Sequence, residues 1–200
     1  MYISYIERLS QKKLSITLDD GETIILSEKE FSQLKEDDHF IDDHKLEVFY
    51  KDYLLPKAKL KALNLLKVRD HSKKELVQKL MRAGFPQSII DQTMAYIDSY
   101  HYIDDERFAY NYVAYRGKMK SKKELRYELS LKGIDMDRLD RSEDYMDELD
   151  DKETIRVILH KKWGEDIEVD MKEKDRMTRY LFRRGFGSSD IFSVYRELGI

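Results

Sequence analysis

The 200 residues include no cysteine, two prolines, eight glycines and one tryptophan. Without cysteine there is no disulfide, no thiolate zinc site and no Cys nucleophile. So little proline and glycine leaves little chain for disorder or long loops. No apolar run approaches the roughly 18 residues of a membrane span. The first 25 residues alternate polar with apolar instead of forming a signal sequence, so the expected setting is the cytoplasm. Walker loops, nucleophile elbows and dinucleotide fingerprints are also missing, and Gly185-Phe186-Gly187 alone cannot cradle a phosphate. Neither catalytic residues nor a cofactor are expected.

What is present is charge, and it is segregated. Charged residues make up 38% of the chain, well above the usual quarter, beside 41% hydrophobic residues that suffice for ordinary cores. The net charge of −3 conceals a basic centre. Residues 1–55 hold 7 Lys/Arg against 13 Asp/Glu, and residues 56–134 hold 17 against 9. Residues 135–151 hold 2 against 9, and residues 152–200 hold 11 against 9. Such a distribution favours a polyanion or an acidic protein surface over indiscriminate nucleic-acid binding.

The chain repeats itself. Ser72-Lys73-Lys74-Glu75-Leu76, Leu80 and Gly84 recur as Ser121-Lys122-Lys123-Glu124-Leu125, Leu129 and Gly133. A third copy keeps Met177, Leu181, Gly185 and Phe186, but has Glu173 and Arg176 in place of the capping Ser and Glu, so its second helix is expected to start elsewhere. Offsets of 49 and 52 residues mark stacked supersecondary units, which present a long surface to a large partner. Ser and Glu at this spacing cap a helix and Gly ends it, and each unit reads as three short helices. Leu60, Leu63 and Leu66 mark the first helix of unit one, and Ile90, Met94 and Ile97 the third. Phe108, Ala109, Tyr112 and Val113 line the first helix of unit two, whose third helix runs through Leu139 and Met146. Ile155, Ile158, Leu159, Ile191, Val194 and Leu198 fill unit three, and the stretch between Trp163 and Arg179 reads as linker plus helix start.

The N-terminal portion differs. Leu14, Ile16 and Leu18 alternate with polar residues up to Asp19-Asp20-Gly21, where Asp-Gly supplies the positive φ values of a hairpin turn, and Tyr2 to Leu9 offers a third strand. Ser27 and Glu30 predict a capping box with Phe31 and Leu34 inward. Leu46, Phe49, Tyr50, Tyr53 and Leu54 predict a connecting helix ahead of Pro56, which suits a first helical turn. The expected fold is mainly α: a small β-rich N-terminal domain (1–55), then three-helix repeats at 56–103, 104–149 and 150–200, in an elongated curved array.

Three sets of polar residues compete as sites. Asp104-Asp105 and Asp150-Asp151 could pair for acid/base work, but both fall just before a helix, where Asp caps free N–H groups. Asp37-Asp38-His39 and Asp42-Asp43-His44 lack the helical spacing that fixes two metal ligands on one face, so no metal is expected. The basic residues are the better candidates. Arg116, Lys118, Lys120, Lys122, Lys123 and Arg126 crowd one helix junction. Lys73, Lys74, Lys79 and Arg82 take related places in the first unit, and Arg179, Arg183 and Arg184 in the third. Each alone reads as a solvated helix face, whereas the repetition reads as a binding stripe.

Taken together, these residues resemble the RecX family of RecA regulators. The resemblance rests on Leu18-Asp19-Asp20-Gly21-Glu22, Lys57-Ala58-Lys59 through Leu63 and Leu66, the Ser-Lys-Lys-Glu-Leu block, and Tyr102-Ile103-Asp104-Asp105-Glu106-Arg107-Phe108-Ala109. It also rests on Lys132-Gly133-Ile134 and Arg183-Arg184-Gly185-Phe186. It implies a non-enzymatic modulator that lies in the groove of the RecA filament on single-stranded DNA. Such a modulator restrains ATP hydrolysis, strand exchange and coprotease action, works most simply as a monomer, and can approach the enclosed single-stranded DNA. The alternatives are a helix-turn-helix-like DNA-binding protein and a repeat scaffold for another protein. Asp91, Asp98, Asp137, Asp140 and Glu143 on the would-be recognition helices count against the first.

Overall fold

Apolar side chains alternating from Lys13 to Ser27 form one face of an antiparallel sheet. The computed structural model describes residues 1–37, 39–138, 146–164 and 169–200. They fall into two compact units, Met1–Asp104 and Asp105–Ile200. In the first, β1 (Ile3–Ser10), β2 (Lys13–Leu18) and β3 (Thr23–Ser27) pair in that order. Leu14 lies opposite Leu26 and Ile16 opposite Ile24, and all four are buried. At the β2–β3 turn, the Leu18 carbonyl accepts from Gly21 N–H (3.0 Å), and Leu18 N–H donates to the Glu22 carbonyl (2.9 Å). Only Gly21 takes a positive φ (+86°) there. The loop is therefore a turn with a glycine bulge, not the two-residue hairpin that needs two positive φ values. Asp20 instead accepts the Glu22 N–H on its carboxylate (2.9 Å).

Ser27 opens α1 (Glu28–Leu34) with the expected capping box: its hydroxyl accepts from Glu30 N–H, and Glu30 accepts the Ser27 N–H at 2.6 Å. Phe31 and Leu34 face the core. Next, α2 (Asp43–Phe49) passes through a π-turn at Tyr50–Leu54 into α3 (Leu55–Val68), with helical angles throughout the junction. Pro56 thus sits in the first turn of α3, as expected, although the backbone ahead of it is already helical. The wider turn accommodates a residue that has no N–H to donate.

No boundary in packing falls at residue 55. Leu54, Ala58 and Ile89 share one core with Ile16, Leu34, Ile41 and Leu46, which joins the sheet to the first helical bundle. That bundle is α3, α4 (Lys73–Arg82) and α5 (Gln87–Ser99), around Ala62, Leu76, Leu80, Ile90, Met94 and Ile97. Of the leucines expected on α3, Leu63 and Leu66 pack against this core and Leu60 does not. Ala58 and Ala62 are its fully buried residues, small enough for close helix approach, and Leu60 is 61% exposed. Gly84, at φ +85°, ends α4. Its carbonyl accepts the Ile25 N–H (3.2 Å), and a Cβ at Gly84 would lie 2.4 Å from that of Ile25. Glycine is required there both for the left-handed angle and for the approach of the sheet.

The second unit contains α6 (Asp105–Arg116), α7 (Lys122–Leu131), α8 (Asp151–Trp163), α9 (Met171–Arg183) and α10 (Ser188–Glu197). Phe108, Ala109, Val113, Leu125, Leu129 and Met146 form one core, and Ile155, Leu159, Met177, Leu181, Ile191 and Val194 another. Leu139, Asp140 and Glu143 lie outside the described residues. The ends of α4, α7 and α9 close alike, with Phe85, Ile134 and Phe186 N–H reaching back to Leu80, Leu129 and Leu181 carbonyls. The third copy does start elsewhere. Asp170 accepts the Glu173 N–H (2.8 Å), so α9 begins one turn before the position of the Ser cap in the other copies. No described helix is long and apolar enough to cross a membrane.

Candidate functional site

The repeated Lys pair occupies an unfavourable place for a cation. Ser72 and Ser121 each accept the N–H of the Glu three residues on, which puts Lys73-Lys74 and Lys122-Lys123 at the first two positions of α4 and α7. Backbone N–H groups and the helix dipole make this end positive, and a cation there costs about 0.3–1 kcal/mol. Lys73 offsets part of the cost through an ion pair with Asp98 (2.5 Å), and Lys74 and Lys123 are exposed. Lys79 and Arg82 follow on α4, and Arg82 is exposed. In the second unit Arg116 and Lys118 are exposed, with the Arg116 guanidinium about 6 Å from the Tyr112 and Tyr115 ring centroids. Arg126 pairs with Asp137 at 3.1 Å. Arg179 and Arg183 lie exposed on α9.

Two of the thirteen basic residues are turned inward instead. Lys120 reaches Glu124 (2.7 Å) and Glu128 (2.5 Å) with its side chain 14% exposed. Burial would lower its pKa, but the two carboxylates outweigh burial and raise it. Tyr112 donates to Glu128 (2.7 Å). There, burial works to raise the carboxyl, and Lys120 with Tyr112 hold it below its usual range. Arg184 donates from Nε and Nη2 to Glu124 (3.0 and 2.8 Å) and to the Met119 carbonyl (2.6 Å). The Arg184 carbonyl accepts from the Ser121 hydroxyl at 2.5 Å. Arg184 therefore binds the third bundle to the second, and Lys120 holds the Glu124 and Glu128 carboxylates beside it. Lys120, just ahead of α7, and Glu124 and Glu128 on it are spaced four residues apart, and that spacing was the available signal for a network. Nothing local marks the Arg184–Glu124 bridge, whose partners are 60 residues apart.

The Asp150-Asp151 pair serves the backbone. Asp150 accepts the Lys152 N–H (2.8 Å), and Asp151 accepts the Lys122 N–H (3.1 Å) at the start of α7. Burial raises the Asp151 carboxyl against that bond. Asp42 caps α2, and Asp37 accepts the His39 N–H (2.7 Å). Asp38 lies outside the described residues. Among the described residues no three His, Asp or Glu side chains gather as metal ligands.

Comparison with known proteins gives a consistent set of matches. Family models for the first, second and third three-helix domains of RecX match residues 58–96, 104–138 and 150–195. Regulatory protein RecX of Serratia proteamaculans (strain 568) is 32% identical over 160 residues, covering 68% of this chain and 95% of that protein. Regulatory protein RecX of Salmonella typhi is 32% identical over 148 residues, covering 68% and 89%. A crystal structure of regulatory protein RecX aligns over 99% of this chain and 98% of that one, with TM-score 0.57 and 20% identity. RecX from Lactobacillus salivarius aligns over 72% and 96%, with TM-score 0.58 and 24% identity.

Proposed function

Since the chain belongs to the RecX family of regulatory proteins, we propose that it is a non-enzymatic modulator of the RecA recombinase. It binds in the groove of the RecA filament on single-stranded DNA and restrains ATP hydrolysis, strand exchange and coprotease action during recombination and repair. The observation that carries the reading is the Lys pair held at the same disfavoured position in two successive repeats. A residue maintained against the helix dipole is better explained by a partner than by the fold. Lys74, Arg82, Lys118, Lys122, Lys123 and Arg126 are the contacts to test first, and Lys120 and Arg184 support them from behind. Contact through exposed cations weakens with salt.

Added at equimolar ratio or below, the purified protein should lower the single-stranded-DNA-dependent ATPase of RecA. The Lys122→Glu, Lys123→Glu, Arg126→Glu triple variant should inhibit less while remaining folded, because exposed charge changes cost little stability. No inhibition at low salt removes the RecA reading. Protection of defined sequences in footprinting on genomic fragments would instead favour a sequence-specific DNA-binding protein.

A further inference from the structure

A second cationic feature lies apart from the Lys pairs, where α8 and α9 border a groove of about 700 Å³. Met119, Ile158 and Met177 line it with apolar surface, and Lys161, Lys162 and Arg183 add charge. Among the described residues none of these three cations forms an ion pair. Arg176 also borders the groove but is bonded to Glu173, the one carboxylate in the lining, so its charge is already met. The groove thus has surplus positive charge beside a methionine-rich wall, and methionine adapts to the shape of an inserted side chain.

We propose that this groove receives an acidic segment of a partner protein. A large apolar side chain seats against Met119, Ile158 and Met177, and flanking carboxylates meet Lys161, Lys162 and Arg183. A single-stranded nucleic acid fits less well. Base stacking needs an open aromatic face, and Tyr180, the one aromatic in the lining, has the Arg184 guanidinium 5.6 Å from its ring centroid and bonded to its hydroxyl (3.0 Å). The site lies mainly on the third bundle, with Met119 contributed by the second, goes beyond the filament reading, and does not depend on which protein is regulated.

The test is fluorescence anisotropy of the full chain at low salt with a short fluorescein-labelled peptide in which Asp and Glu flank a Leu-Phe pair. Two further probes are the same peptide with Ser-Ser at the centre and a labelled single-stranded oligothymidine. The Lys161→Glu, Lys162→Glu, Arg183→Glu variant should lose about tenfold in affinity for the Leu-Phe peptide, since removing charge complementarity weakens both encounter and complex. The Ser-Ser peptide should bind more weakly. If the triple variant melts early by circular dichroism, Lys162→Glu alone carries the comparison. Equal binding of the two peptides, no binding of either, or oligothymidine binding abolished by the same reversal would each overturn the assignment. The variant's effect on the RecA ATPase is measured separately, so inhibition with no peptide binding overturns the groove and leaves the filament reading standing.

Discussion

Glu30 offers a direct test of how the sheet is fastened to the first helical bundle. Its carboxylate receives Tyr53 Oη (2.6 Å), Lys57 Nζ (3.1 Å) and Ser27 N–H (2.6 Å), which ties the β3–α1 junction to the long helix beyond. Burial alone would raise its pKa. The bonds from Tyr53, Ser27 and Lys57 prevail and bring it from 4.5 down to about 2. At ~1.4 kcal/mol per pH unit this corresponds to about 3 kcal/mol, and solvent at the partly exposed side chain reduces it to about 2 kcal/mol. A carboxyl whose native pKa lies below its unfolded value stabilises the fold above the unfolded value, and loses that contribution as pH falls toward the native one. The contribution is therefore complete above pH 4.5 and fades between 4.5 and about 2. Glu30→Gln removes the charge but keeps a side chain that can complete a capping box. Urea unfolding followed by circular dichroism should show the variant about 2 kcal/mol less stable near pH 7, with the gap narrowing steadily below pH 4.5. A gap that stays constant to pH 3, or one below about 0.5 kcal/mol near pH 7, would refute the claim that the ionised carboxylate fastens these elements.

Arg184→Ala should destabilise the second unit by about 1.5–3 kcal/mol, the range for hydrogen bonds to charged groups, and tryptophan fluorescence from Trp163 during urea unfolding would report it. A double-mutant cycle with Glu124→Gln should return a coupling of about 1 kcal/mol. Gly84→Ala combines a left-handed φ with a Cβ 2.4 Å from that of Ile25, and should cost about 3 kcal/mol in thermal or urea unfolding. Gly21→Ala, with nothing within 4 Å of the added Cβ, should cost only about 1 kcal/mol. Lys74→Glu should raise stability by about 0.3–1 kcal/mol while weakening inhibition of RecA.

Repetition and periodicity made most of the fold legible. The Ser-Lys-Lys-Glu-Leu copies fixed two capped helices, the Gly that follows fixed their ends, and alternation from Leu14 to Leu26 fixed the inner face of the sheet. The differences arose where periodicity and charge do not determine packing. Leu63 and Leu66 pack on the core as expected, but Leu60 does not, because Ala58 and Ala62 take the fully buried positions of α3. Pro56 does fall in the first turn of α3, but the π-turn that joins α2 to it leaves no mark in the sequence. Within the basic cluster, charge alone could not separate Lys120, whose carboxylate partners sit four and eight residues ahead, from Lys118, whose side chain is exposed. The groove beside Lys161 and Lys162 also stayed hidden, since it exists only once α8 and α9 lie side by side.

The Lys74 variant separates two explanations that agree on every contact. If the Lys pair is only a solvated face, replacing one member with an acidic residue at a helix start improves the dipole and changes nothing else. If the pair meets an anionic partner, the same replacement improves the fold and harms the function, with opposite signs in two independent measurements. Lys73 and Asp98 show that the fold already compensates for one member of the pair, and Ser72 and Glu75 show that the helix start is otherwise well made. A cap this complete with cations kept inside it is what a binding requirement would produce. The third copy fits the same logic. Its α9 is capped by Asp170, and the position before Lys172 holds Met171 instead of a second lysine. Once the pair is gone, so is the Ser cap that displayed it, while Leu181 and the closing turn persist. Fold and charge are therefore separable in this chain, and the third bundle has kept the first while placing its own cations elsewhere, along the groove between α8 and α9.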